Sequence, residues 1–280
     1  MSAQEWLKKL NNSLLVGGNG KGTIKNYVAE MRLLFQYYND RDVEVITSQD
    51  ITNYIVFIKQ HHLVGYAKCR GVAHACSYFF KHVIKTPFVL PSVLYPKKQF
   101  KLPKVMLPEE VKVLFSHVTC LKTKCILGLL YGSGMRLNEV VSLKITDIES
   151  KNSGIRIIQG KNHKDRLALL PLSLLNDLRS YYKQFKPKVY LFESPQTKSI
   201  YHSRSVQLIV SQAMKQAGLY DKGYTSHTLR HSFATHLLNS GVNIHTVKEL
   251  LGHSKLETTM IYLHLMETTR KQLQSPLDML

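Results

Sequence analysis

Five of the nine prolines in this 280-residue chain fall in one stretch, at Pro87, Pro91, Pro96, Pro103 and Pro108. No helix runs through that spacing, because each ring removes an N–H donor and disfavours helical backbone at the residue before it. The sequence therefore predicts an extended linker over 91–107 that separates a domain at 1–90 from a second at 108–280. Lys97, Lys98, Lys101 and Lys104 lie in this linker. They suit a segment that follows a phosphate backbone around a duplex, and a merely solvated linker fits them as well.

Ahead of the linker the apolar residues recur at helical spacing. Ile24, Tyr27, Val28, Met31, Leu34, Phe35 and Tyr38 follow Thr23, read as an N-cap. Thr47 and Asp50 have capping-box spacing in front of Ile51, Tyr54, Ile55 and Ile58. A third helix over 66–84 carries Lys68, Arg70, His74, Lys81 and His82 among its apolar positions. Lys68 and Arg70 are the candidates there for contact with DNA, although ordinary surface charge explains them nearly as well. The first domain is thus expected to be small and all-helical.

Behind the linker the pattern is mixed. Helices over 108–118 and 122–131 lead into Gly132-Ser133-Gly134, a tight turn before a helix that opens near Arg136. Residues 155–158 and 167–170 read as strands of a hairpin whose tip, 160–165, is basic, and 189–192 as a further short strand. The remainder reads as helix. The expected class is mainly α with a small antiparallel sheet (α+β).

Charge narrows the partner. Lys and Arg number 38 against 19 acidic residues, a formal charge of +19. A compact chain so charged repels itself unless a polyanion lies against it, and nucleic acid is the first candidate. A membrane surface is the rival, but the N-terminus shows neither a myristoylation motif nor a secretory signal, and no run approaches the ~20 apolar residues that span a bilayer. Cys69, Cys76, Cys120 and Cys125 form no close pair and read as reduced core thiols. A soluble, cytoplasmic chain is expected.

Three short segments hold the residues that chemistry would use. In the first, Gly132 to Glu139, Arg136 and Glu139 stand three apart on one helix face, so the carboxylate can orient the guanidinium. A surface ion pair is the other reading, but the glycine-rich entry exposes the start of the helix to an anion. In the second, Thr225 to His231, Ser226 is read as an N-cap, with His227 and Arg230 sharing a face. His227 and His231 also have the spacing of zinc hydrolases, yet Thr228 stands where that motif supplies its general-base carboxylate. In the third, Gly252 closes one helix, and Ser254 with Glu257 has capping-box spacing for the next, which would present Tyr262 about two turns in. Taken singly, His253 and Tyr262 read as packing residues, and His236, His245 and His264 as surface or supporting ones.

Arg136, Lys161, His227-x-x-Arg230, His253 and Tyr262, with the words Gly-Ser-Gly-Met-Arg, His-Thr-Leu-Arg-His-Ser-Phe-Ala-Thr-His and Leu-Gly-His-Ser around them, resemble the signature of the tyrosine recombinases of the phage integrase and Xer type. The resemblance covers nearly the whole chain, including the spacing from His253 to Tyr262, with no departure at a catalytic position. It implies a helical core-binding domain and a catalytic domain of the DNA breaking-rejoining fold. Tyr262 would attack a scissile phosphate, leaving a 3′-phosphotyrosine and a free 5′-hydroxyl. Arg136 and Arg230 would clamp the non-bridging oxygens, as paired N–H donors suit a charge-spreading transition state. Lys161 would protonate the departing oxygen, His227 would assist proton transfer, His253 would hydrogen-bond a phosphate oxygen, and Glu139 would support the site. No metal and no cofactor is implied.

The resemblance also implies double-stranded recombination sites as partners, a monomer when free and a homotetramer on DNA that exchanges strands through a Holliday junction. Accessory DNA-bending proteins are compatible with this. In such an assembly the tail 267–280 would dock on a neighbouring protomer; a frayed terminus fits the sequence as well. A mobile-element integrase is the favoured role. The start of the chain argues against an arm-binding phage integrase, and the spacing from Lys161 to His227 against an integron integrase. The competing functions are a type IB topoisomerase-like enzyme and a catalytically silent DNA-binding or architectural protein.

Overall fold

A computed structural model of the chain describes residues 1–39, 41–95, 102–158, 165–194, 197 and 199–265, with only the backbone given for Val93 and His264. Lys97, Lys98, Lys101, Lys161 and the tail 267–280 lie outside these described residues. Two compact units are formed, Met1–Phe100 and Lys101–Leu280. Helix dominates both, and the one sheet among the described residues is small and antiparallel, in the α+β class read from the sequence.

The first unit is built on helices α1 (Ala3–Val16), α2 (Lys21–Tyr37), α3 (Ser48–His61) and α4 (Tyr66–Phe79). Helix α1 escaped the periodicity argument, although Ser2 and Glu5 form a capping box at its start and Trp6, Leu10 and Leu14 face inward. Helix α2 begins at Lys21, ahead of Thr23, and Gly20 occupies the cap position without a side-chain bond, so Thr23 is not the N-cap expected. The Thr47–Asp50 capping box is formed, each side chain meeting the other's backbone amide. Trp6 meets Phe79 edge-on at 5.9 Å and Phe35 meets it at 5.5 Å, which locks α1 and α2 onto α4. Leu90 and Leu94 are buried in this same core, so the chain just beyond Pro91 packs on the unit as a short 3₁₀ turn. Lys68 is ion-paired with Glu30, and Arg70 donates to His74, so both candidates for DNA contact are engaged within the unit.

In the second unit α5 (Pro108–Ser116) and α6 (Leu121–Tyr131) lead through the glycine turn to α7 (Leu137–Ser142). Helix α6 is apolar nearly all round, with Cys125, Ile126, Leu127, Leu129 and Leu130 buried. Such a helix belongs at the centre of a core, and it packs against α8 (Leu172–Phe185), α9 (Ser203–Gln216) and α10 (Ser226–Asn239). Strands β1 (Ile148–Glu149), β2 (Gly154–Ile157) and β3 (Arg166–Leu169) pair antiparallel in that order. The 189–192 segment makes only an isolated bridge, Tyr190 with Lys144, and not the strand expected. Helices α11 (Ile244–Leu251) and α12 (Glu257–Met260) complete the unit.

The entry of the chain into this unit is clamped to α10. Met106 is fully buried, its amide donates to Ser232 Oγ at 2.9 Å, and its carbonyl lies 2.9 Å from His236 Nε2. That bond needs the proton on Nε2, which leaves Nδ1 to accept from the Tyr131 hydroxyl at 2.9 Å. His236 is therefore a structural tie. Lys104 donates to the Lys222 carbonyl at 2.6 Å. Three cysteines are buried as expected, but Cys120 is exposed at the start of α6. Among the described residues no helix is long and apolar enough to cross a membrane.

The turn before α7 depends on Gly134, which takes φ +60° and faces the Phe233 ring, where an added Cβ would lie 2.4 Å from Cδ1. Left-handed backbone costs a side chain ~1–2 kcal/mol and an overlap in a packed core ~1–3 kcal/mol. Gly134→Ala is expected to lower the melting temperature by roughly 5–10 °C. An unchanged melt would show that the turn is not held this tightly.

Candidate active site

The end of α11 organises the site. Gly252 closes the helix at φ +62°, and three successive carbonyls there each receive a different arginine. Arg166 Nε donates to the Leu250 carbonyl at 2.9 Å, Arg230 Nη2 to that of Leu251 at 2.5 Å, and Arg136 Nη2 to that of Gly252 at 3.3 Å. The last carbonyls of a helix lack partners within it and carry partial negative charge, so they are a natural seat for cations. A Cβ on residue 252 would lie 2.7 Å from Arg166 Cδ, so glycine lets the arginine stem pass as well as making the turn.

Glu139 sits among these guanidiniums. Arg166 grips Glu139 with both ends of its fork, at 2.8 and 2.7 Å. Arg136, at the N-cap of α7, donates its Nη1 to Glu139 Oε1 at 2.9 Å and its backbone amide to Oε2 at 2.7 Å. Arg230 Nη1 stands 3.8 Å from the same Oε2. Burial raises the carboxyl, but the Arg166 hydrogen bonds and charge, the Arg136 amide and the Arg230 charge outweigh it and hold Glu139 at about 2. Arg230 is only 4% exposed; burial and then Arg136 bring it down to about 9, so it remains charged at neutral pH. Its Nη1 also bonds the Gly134 carbonyl, which ties α10 to the glycine turn.

Beside the arginines stand two imidazoles and the phenol. His253 Nε2 faces Arg230 Nη2 at 3.4 Å, and its Nδ1 lies 2.9 Å from the hydroxyl of Thr259, which is fully buried. Burial, then Arg230, Arg136 and Arg166, push His253 down to about 3, so the ring is neutral. A neutral ring facing an arginine accepts at Nε2 and donates from Nδ1. Because a hydroxyl both donates and accepts, Thr259 can also serve the tautomer that donates from Nε2 to an anion. Tyr262 is 3% exposed, with its ring stacked on His253 at 6.3 Å and its hydroxyl 2.9 Å from His231 Nδ1. Burial raises the phenol, and Arg230 and Arg136 partly offset this.

The structure thus brings together Arg136, Glu139, Arg230, His253 and Tyr262. His227 is exposed and opens onto a cleft lined also by Arg136, Glu139, Arg156, Tyr190 and Gln207. Three participants were missed in the sequence: Arg166, His231 as the partner of Tyr262, and Thr259. Arg166 was hidden by its strand. Ala168 and Arg166 face inward while Leu167 and Leu169 are exposed, the reverse of what apolar alternation suggests. Two local expectations are corrected. Thr225 and not Ser226 occupies the N-cap of α10, where its amide donates to Thr228 Oγ1 at 3.1 Å. The Ser254–Glu257 box does not form either; α12 starts behind Leu256, is one turn long, and leaves Tyr262 in the turn after it. Among the described residues no group of three or more His, Cys, Asp or Glu side chains stands together as metal ligands.

Clustered guanidiniums around a phenol, with neutral imidazoles at the edge, are the electrostatics of a site for transferring an anionic group to an aromatic hydroxyl. The profile of the phage integrase family matches residues 104–269. A tyrosine recombinase of Thermosipho africanus is 31% identical over 258 residues, covering 88% of this chain and 89% of its own length. The fold resembles that of XerH recombinase bound to its difH substrate after cleavage, with a TM-score of 0.71 at 21% identity over 91% of this chain and 79% of that one. It also resembles a lambda integrase tetramer bound to a Holliday junction, with a TM-score of 0.72 at 17% identity over 94% and 77%. The chain belongs to the phage integrase family of tyrosine recombinases, enzymes that cleave and rejoin DNA.

Glu139 has a pKa near 2 in the folded chain against an ordinary 4.5, a difference equivalent to roughly 3 kcal/mol. Because the folded value is the lower one, this stability is fully present above about pH 4.5 and is lost as pH falls toward 2. Glu139→Gln is expected to lose ~3–5 kcal/mol at neutral pH by leaving three guanidiniums without their counter-charge, and to flatten the decline between about pH 4.5 and 2. Urea unfolding across pH reads both effects; a variant with the wild-type midpoint at pH 7 would remove Glu139 from its central place.

Proposed function

We propose that the protein is a site-specific DNA recombinase that uses Tyr262 as its nucleophile. The observation that carries this reading is the position of the phenol, whose ring stacks on His253 and whose ionisation both Arg230 and Arg136 favour. In the cleavage step Tyr262 Oη bonds to phosphorus as the P–O5′ bond breaks, leaving a 3′-phosphotyrosine and a free 5′-hydroxyl. Arg136 and Arg230 hold the non-bridging oxygens, with their planes already fixed by carbonyls and Glu139. Such preorganised donors stabilise the charge that grows in transfer without reorganising at the moment of reaction. His253 donates from Nε2 to one of those oxygens, with Thr259 accommodating the tautomer. His227, at the mouth of the cleft, assists proton transfer at the phosphate, and Glu139 supports both arginines.

Lys161 is the proposed acid for the departing 5′-oxygen. Arg166 supports this assignment, because it anchors the end of β3 in the site and Lys161 is five residues back along the chain, within ~17 Å of reach. The first unit is read as the core-binding domain, and the basic residues of 97–104 as followers of the phosphate backbone. The similarity of fold to a lambda integrase tetramer on a Holliday junction supports assembly of four copies on two DNA sites, with the tail docking in trans. A mobile-element integrase acting in the cytoplasm is the role that best joins these features.

Incubation with a library of random duplexes, nicked so that a short 5′-hydroxyl fragment diffuses away after cleavage, tests the reading. The wild-type chain is expected to retain DNA covalently and Tyr262→Phe to retain none. Absence of any covalent complex with the wild type would overturn the recombinase assignment. On the captured site, Arg136→Lys and Arg230→Lys are each expected to slow single-turnover cleavage by ~10²–10³, since an ammonium has no planar fork.

A further inference from the structure

We infer that His231, and not His227, is the base that takes the phenol proton of Tyr262. This rests on the recombinase reading and deepens it, by assigning the proton-transfer step at the nucleophile to a different residue. His231 Nδ1 lies 2.9 Å from Tyr262 Oη, within proton-transfer distance, and the two rings are 5.6 Å apart. His227, one helical turn earlier, has its ring 6.4 Å from that of His231 and is exposed. A phenol donates more readily than it accepts, so the neutral imidazole takes the hydrogen bond. As the Oη–P bond forms and the P–O5′ bond breaks, the phenol proton passes to Nδ1, and the 5′-oxygen takes its proton from a separate donor. In rejoining, the 5′-oxygen attacks phosphorus and gives its proton back to that donor, while the P–Oη bond breaks and the imidazolium returns its proton to Tyr262 Oη.

The surroundings make this base dependent on substrate. His231 faces His227 and Arg230 on its own helix, and Tyr262 and His253 from the segment packed against it. Burial, then His227 and Arg230, hold His231 down at about 4 in the free chain. A scissile phosphate placed between Arg136 and Arg230 brings a negative charge that offsets the second of these repulsions. DNA binding therefore raises the basicity of His231 at the point where the proton must move.

His231→Asn is the informative change, because its amide oxygen can still accept a hydrogen bond from the phenol but takes up no proton. Single-turnover cleavage of the nicked duplex captured from the random library is expected to slow by ~10²–10⁴, with DNA affinity kept and the acid limb of the pH–rate profile gone. A variant that cleaves at the wild-type rate with the wild-type profile would overturn the assignment and leave His231 a support for the ring. A second measurement needs no variant. With sulfur at the bridging 5′ position the leaving thiolate requires no proton, so any remaining acid limb belongs to the nucleophile. The wild-type chain is expected to keep that limb above the pH 4 of free His231, and a profile flat from about pH 5 to 9 would overturn the proposal. Wild-type protein that binds this duplex without any covalent product would instead overturn the recombinase reading itself.

Discussion

The site depends on one buried carboxylate. Glu139 lies among three guanidiniums, two of which bond it directly while the third stands 3.8 Å away. Without its charge, Arg136, Arg166 and Arg230 would repel one another in a setting where little water reaches them. Packing arginines this closely before an anionic substrate arrives requires a resident anion, and Glu139 fills that place. The helix end adds to it, because the carbonyls of Leu250, Leu251 and Gly252 each absorb one N–H and lend their partial negative charge. The result is a cluster that is stable in the free chain and remains cationic toward the cleft.

The same bonds draw distant segments together. Arg136 follows the glycine turn, Arg166 opens β3, Arg230 comes from α10, and all three converge on the end of α11. Arg230 also bonds the Gly134 carbonyl, so the turn, α10 and α11 share one guanidinium. Helix α10 is in turn clamped to Met106 by Ser232 and His236, and His236 to Tyr131 at the end of α6. A side chain that reads from sequence as a phosphate clamp is thus also a fastener of the fold. Loss of activity in an arginine variant has to be separated from loss of structure for this reason.

How much of this was legible depends on what each residue does locally. Arg136, Glu139, His227, Arg230, His253 and Tyr262 stand in short words whose spacing carries them, and five of these six meet in one cluster. The helices with apolar faces were equally visible, as was the capping box at Thr47 and Asp50. Arg166 was not, because its role is set by the inward face of β3, where an alanine and an arginine displace the leucines that periodicity favours. His231 was read only for its zinc-like spacing to His227, and nothing local says that its ring meets a phenol thirty-one residues later. The misplaced caps at Thr23, Ser226 and Ser254 share another cause. Several nearby residues could each cap a helix, and tertiary packing selects among them.

The fixed bonds also explain how the arginines can be both structural and chemical. A guanidinium carries five N–H donors in one plane. The partners described take two of them on Arg136, the Glu139 and Gly252 oxygens, and three on Arg230, the Gly134 and Leu251 carbonyls and His253 Nε2. The carbonyls and the carboxylate fix the plane, while the contact to His253, at 3.4 Å, is the longest of Arg230's three and the most easily exchanged. In the proposed mechanism an incoming phosphate oxygen accepts that N–H and, at the same time, a hydrogen bond from the His253 ring, whose other nitrogen meets a hydroxyl able to reverse its role. Substrate binding then asks for a rotated hydroxyl and a moved ring proton, with the arginines left where the helix end holds them. Rigid donors beside an adjustable imidazole are an arrangement suited to phosphoryl transfer in both directions, since cleavage and rejoining pass through the same charge distribution.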